Sequence, residues 1–228
     1  MFERPLTRSE AELIEDMAEF IEAKHRGNEA HDYAHVLSVV NYAIRIAEAI
    51  DEEVDPFLLI AGAFFHDIGW VGTITGELHG LRGATIAEEY FRNTWVPREK
   101  IDQIKRIIVR HTHTSHIPPE TAEERIVWDA DGLAGLGLLG ILRGIIVGKG
   151  SHLDILESTL LFAGKHFERL HFEESRRIDE ELYEETQEII EYFKEGLVQR
   201  KERIAELDLP VDREQRAELD AAVDKAQS

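Results

Sequence analysis

The sequence predicts an all-α fold, on three observations. Apolar residues recur at helical spacing along nearly the whole chain, helix-start signals precede several of those stretches, and no run alternates with period two for long enough to make a sheet. Ile145-Ile146-Val147 is the one strand-like patch, and it is too short to change the class. The first helix follows Thr7-Arg8-Ser9-Glu10, where Thr7 and Glu10 form a capping-box pattern ahead of Leu13, Met17, Phe20 and Ile21. A second runs from about His35 to Ile50, with Val36, Val39, Val40, Ala43, Ile46 and Ala47 as its buried stripe. Pro56 suits the first turn of a third helix that reaches Phe65. That segment is apolar on all sides, which marks a central, buried helix. It ends in His66-Asp67-Ile68-Gly69, with Gly69 available as a stop.

Val71–Leu78 is rich in turn residues and predicts a loop. Further helices are expected at about 79–93, 98–111, 121–128, 131–147 and 152–170, then a long one at 175–206. Pro210 separates a short charged tail. The expected organisation is one domain over residues 1–208, with its core at about 30–195, and a tail at 209–228. The long C-terminal helix would pack on its own core or pair with a second copy as a homodimer.

Composition bounds the chemistry. The 228 residues suffice for one substantial core. With no cysteine there is no disulfide framework and no thiolate ligand or nucleophile, so a metal site would have to use histidine and carboxylate. The net charge of −20 opposes general nucleic-acid binding, because it repels phosphate backbones. It does not oppose a small phosphorylated substrate, since a metal ion and local cations reverse the field within a cleft. No apolar run approaches the roughly 18 residues that cross a bilayer, and no leader-like start is visible, so a cytoplasmic protein away from the membrane is expected.

The His-Asp pair is the first chemical signal. A fully apolar helix that ends in His66-Asp67 carries a carboxylate into the interior, which is costly unless it is paired or bound to a cation. A hydrogen-bonded structural pair would account for that much. His35 opens the preceding helix, four residues after His31, and Trp128-Asp129-Ala130-Asp131-Gly132-Leu133 places carboxylates at the head of another apolar helix. Together these make a mixed nitrogen and oxygen ligand set. Such a set suits Mn, Fe, Mg, Co or Ni more than a closed structural zinc site.

This ordered pattern resembles the HD superfamily of metal-dependent phosphohydrolases, over roughly residues 30–195. The resemblance places the family's first histidine on His35, within His31-Asp32-x-x-His35. It places the paired ligands on His66 and Asp67, and the final aspartate on Asp131 in Ala130-Asp131-Gly132-Leu133, with Asp129 as the alternative or a supporting group. His79, in His79-Gly80-Leu81-Arg82-Gly83, and His111, closing Ile104–His111, fall where relatives hold a second metal or border the phosphate. One or two divalent ions per chain are thereby implied. The branch it most resembles, small HD hydrolases active on nucleotides, has an arginine where this chain has Ser38 and an Arg-Leu-Asp where it has Gly132-Leu133-Ala134. Arg82, Arg110, Arg143 and Lys149 remain as phosphate contacts.

The resemblance implies an HD-domain helical bundle whose metal-activated water cleaves a phosphate ester or anhydride of a small molecule, with a nucleotide the leading class. Asp67 would bind metal and orient the water, with His79 and His111 stabilising the phosphoryl group. Two alternatives stand beside it: a di-iron oxygenase on the same fold, and a sensor that holds a nucleotide without turning it over.

Overall fold

The structure is a computed structural model that describes residues 2–28, 31–73, 76, 78–112, 115–148 and 150–206, together with Ala217, Ala221 and Lys225. The side chains of residues 162–166 are not among those described. Among these residues nine α-helices and one 3-10 turn occur, with no strand beyond an isolated bridge between Phe2 and Val54. The fold is all-α. It divides into two compact units, Met1–Glu188 and Ile189–Ser228.

In the first unit α1 is Arg8–His25, α2 Tyr33–Ala49, α3 Pro56–Phe65, α4 His79–Phe91, α5 Arg98–Arg110, α6 Ala122–Leu133, α7 Gly137–Val147 and α8 His152–Phe167. The unit boundary falls within α9, Glu173–Ala205. The first three starts follow from local chemistry. Thr7 and Glu10 form the reciprocal capping box of α1, the Asp32 side chain accepts from His35 N at α2, and Asp55 accepts from Phe57 N and Leu58 N at α3.

All ten residues of α3 are buried, and the helix packs against α1, α2, α5 and α6. Each of its large apolar side chains contributes roughly 1.5–3 kcal/mol by leaving water. The start of α3 is also fixed electrostatically: Arg4 Nη2 and Lys100 Nζ lie 3.1 and 2.6 Å from Asp55 Oδ2. Burial opposes ionisation of Asp55, but the hydrogen bond from Lys100 and the backbone N–H groups hold its pKa below the usual value. A helix fixed along its length and at its start delivers His66-Asp67 to one defined place at its end.

Two sequence expectations need correction. Gly69 does not stop the chain, which continues through a 3-10 turn over Ile68–Trp70. Its missing side chain serves close approach instead: a Cβ there would lie 1.9 Å from the carbonyl oxygen of His79. The helices expected at 121–128 and 131–147 are α6 and α7, with the break after Leu133. The capping box of Thr121 and Glu124 sets the start of α6, and Gly137, at φ +65°, lies at the break. Asp129 and Asp131 therefore sit in the last turns of α6, not at the head of a helix. No single helix among the described residues is long and apolar enough to cross a membrane.

Candidate metal centre

Three elements bring the first set of predicted ligands together. His35 comes from the first turn of α2, His66 and Asp67 from the end of α3, and Asp131 from the last turn of α6. His35 Nε2 lies 3.2 Å from His66 Nε2, 3.2 Å from Asp67 Oδ2 and 3.3 Å from Asp131 Oδ1. His66 Nε2 lies 3.3 Å from Asp67 Oδ2 and 3.8 Å from Asp131 Oδ1. A second group shares Asp67. Its Oδ1 is 3.6 Å from His79 Nε2 and 3.5 Å from His111 Nε2, which are themselves 3.1 Å apart. Asp67 thus gives one oxygen to each group.

These spacings fit a metal ion. Ligand atoms about 2.1 Å from a common ion lie roughly 3.0–3.4 Å from one another, by the geometry of octahedral and tetrahedral sites. The ring orientations fit as well. His66, His79 and His111 donate Nδ1–H to the carbonyls of Ala63, Gly76 and Ile108, at 2.7, 2.8 and 2.6 Å. This outer hydrogen bond fixes the tautomer and leaves each Nε2 lone pair free to ligate. Each group could hold one divalent cation.

The electrostatics follow from burial and neighbours. Burial raises the cost of ionising Asp67, but the neighbouring His66, His111, His31 and His35 hold its pKa well below the carboxylate range. Asp131 is likewise held low, since the hydrogen bond from His35 and the charge of His66 outweigh burial and repulsion from Asp67. For His35, burial opposes protonation, yet the hydrogen bonds to Asp131 and Asp67 leave its pKa above the ordinary value. His79 moves the other way, lowered by burial and by His111.

Asp129 is turned away from this cluster. It is fully buried and accepts hydrogen bonds from the backbone N–H groups of His171 and Phe172 and from His171 Nδ1. It anchors the start of α9 to α6. Arg143 lies beside the centre, its Nη1 2.8 Å from His35 Nδ1. Arg82 donates to the Val71 carbonyl, and Arg110 donates to the Pro118 carbonyl and pairs with Glu120 and Glu124. Neither lines the cavity over the centre. Lys149 lies outside the described residues.

That cavity has a volume of about 540 Å³, and its walls include Trp70, Trp128, Arg143 and Thr159 above Asp67, His79, His111 and Asp131. Sequence reasoning did not single out the two tryptophans. It also gave His31 less than its place in the structure. His31 Nδ1 lies 2.7 Å from Asp67 Oδ2, and its ring stacks on Trp70 at 4.4 Å between centroids. The spacing His31-Asp32-x-x-His35 was the available signal, since Asp32 caps the helix and leaves His31 just outside it. His25 is buried with Nδ1 against the His31 carbonyl.

A helical domain that gathers histidines and aspartates from separate helices around one shared carboxylate has side-chain groups that could hold a divalent metal. The family model of the HD domain matches residues 32–136. No curated protein sequence matches significantly. Among solved structures, the Lin1889 protein of Listeria innocua is similar at 23% identity and TM-score 0.59, covering 82% of this chain and 97% of its own. Bacillus subtilis YpgQ, solved in complex with ADP, is similar at 19% identity and TM-score 0.62, covering 82% and 96%. An HD-superfamily hydrolase from Bacillus thuringiensis is similar at 20% identity and TM-score 0.60, covering 82% and 98%. At these identities the likeness concerns the fold.

Proposed function

We propose that this protein is a metal-dependent phosphohydrolase acting on a small phosphorylated molecule, with nucleotides the first class to test. The observation that carries the reading is Asp67, a buried carboxylate with one oxygen in each of two histidine groups, at the floor of a cavity with an arginine in its wall. The HD-domain match, the fold shared with an HD-superfamily hydrolase and the ADP held by YpgQ support it.

His35, His66, Asp67 and Asp131 would hold the first ion; Asp67, His79 and His111 would hold a second or contact the phosphoryl group directly. A bound ion would supply a water of lowered pKa and polarise a phosphoryl oxygen. Asp67 orients the attacking water, whose oxygen forms the new P–O bond as the bond to the leaving group breaks. The leaving oxygen takes up the proton. Arg143 meets the charge on the phosphoryl oxygens. Trp70 and Trp128 offer flat apolar surface to the rest of the substrate.

The test is a panel of nucleotides, sugar phosphates and cyclic dinucleotides, assayed with Mn²⁺, Co²⁺, Mg²⁺ and Fe²⁺ after chelation. Phosphate or pyrophosphate release that returns only with an ion is expected. Tight nucleotide binding with no product under any ion would instead mark a sensor. The sharing of Asp67 between two groups also suits a di-iron oxygenase, which would consume oxygen when loaded with iron; the hydrolase would not.

A further inference from the structure

The four histidines of the two groups are not held alike. His66, His79 and His111 each donate Nδ1–H to the carbonyl three residues back. His35 has no such arrangement, because its Nδ1 faces Nη1 of Arg143 at 2.8 Å. A guanidinium carries donors, has no acceptor and keeps its proton in proteins. Nδ1 of His35 is therefore the acceptor in this pair. In a neutral ring the proton then sits on Nε2, facing Asp67 Oδ2 at 3.2 Å and Asp131 Oδ1 at 3.3 Å. Nε2 is the atom that faces the other ligands. Donation by Arg143 to Nδ1 and ligation through Nε2 thus require opposite tautomers of one ring.

We propose that Arg143 is a positioning residue that the metal displaces, so that ion binding at His35 releases the guanidinium toward the phosphoryl group of the substrate. The proton balance is closed: Nε2 gives up its proton to solvent, Nδ1 gains one, and Arg143 keeps all of its own. The surroundings allow the movement. Arg143 already lines the cavity of about 540 Å³ that lies over Asp67, His79, His111 and Asp131. Metal and phosphate then bind in order: the ion first, the anion to the arginine it has freed. The inference rests on the metal-centre reading above and adds the coupling between the ion and the arginine.

The first measurement is the ¹⁵N spectrum of the histidine rings in the chelated full-length protein at alkaline pH, before and after Zn²⁺ as a diamagnetic probe. His35 is expected as the Nε2–H tautomer, unlike His66, His79 and His111, and to convert to Nδ1–H with Zn²⁺. The second uses Arg143→Met and Arg143→Gln. Both should bind Mn²⁺ about tenfold more tightly, the loss of one charge-assisted hydrogen bond to the competing tautomer. Gln should exceed Met, because its carboxamide oxygen can accept from Nδ1–H. Inorganic phosphate should bind the Mn²⁺-loaded variants about tenfold more weakly than wild type. These opposite signs distinguish the coupling from a structural role, which would weaken both ligands. Tighter metal binding with an unchanged His35 tautomer would reduce the effect to charge and overturn the proposal. So would Zn²⁺ bound with His35 still protonated on Nε2. A wild-type chain that binds no ion would overturn this inference and the metal-centre reading together.

Discussion

At the residue scale, each side chain proposed to ligate metal has two competing occupants, protons and cations. His35 shows this best, because Asp131 and Asp67 raise its pKa despite burial. A ligand must be deprotonated at the ligating atom, so metal affinity is full above the His35 pKa and falls as pH drops through it. The raised value moves that loss to higher pH than an ordinary histidine, near about 6.5, would give. The apparent Mn²⁺ affinity should fall by up to about tenfold per pH unit for each proton displaced, beginning near neutrality. Affinity that stays flat to about pH 5 would contradict the ligand assignment. Asp129 and Asp131 make a second contrast, two residues apart on one helix. Asp131→Ala should cost metal affinity and leave the chelated protein's stability nearly unchanged. Asp129→Ala strands the His171 and Phe172 N–H groups, so it should cost about 2–4 kcal/mol in denaturant unfolding while the folded fraction still binds metal. A reversal of those two outcomes would exchange their roles. The sequence distinguished them only through resemblance, since both are acids in the same short stretch; what separates them is the direction each faces from α6.

At the scale of elements, helix type and the buried faces were legible because they depend on local periodicity and capping. The stripe expected for α2 is buried in full, and α3 is buried on every face as its composition required. What could not be read was the relation between elements. The close approach of α4 to the turn after α3 depends on Gly69, whose role in the sequence looked like a helix stop. That approach sets where His79 meets His111 and Asp67. Gly69→Ala should therefore destabilise the fold by about 1–3 kcal/mol through overpacking, and should weaken binding of a second ion more than the first. Calorimetric titration with Mn²⁺ resolves the two. An alanine variant with both sites at wild-type affinity would remove the glycine from the account. The break between α6 and α7 was misplaced because Asp129 and Asp131 read as the acidic head of a new helix, yet the capping box at Thr121 and the turn before Gly137 decide the boundaries.

At the scale of the whole molecule, a chain of net charge −20 concentrates histidines and one arginine around a few buried acids. Such a charge destabilises the compact state by self-repulsion, so moderate salt should raise the melting temperature of the chelated protein. A melting temperature that falls with salt would show that specific ion pairs outweigh the net field. The class of the molecule was legible from the order of its motifs, because His35, His66-Asp67 and Asp131 span the chain and no single local rule would place them there. Substrate identity was not, since the cavity walls come from loops and helix faces that only folding brings together, Trp70 and Trp128 among them. The central claim is that His35, His66, Asp67 and Asp131 hold a divalent ion. Its most direct test is the metal content of the purified protein, measured by elemental analysis beside His66→Ala and Asp67→Ala. The account predicts one or two equivalents of a divalent ion in the wild type, and their loss in both variants along with phosphate release. Folded variants that keep the wild-type metal content and activity would contradict it.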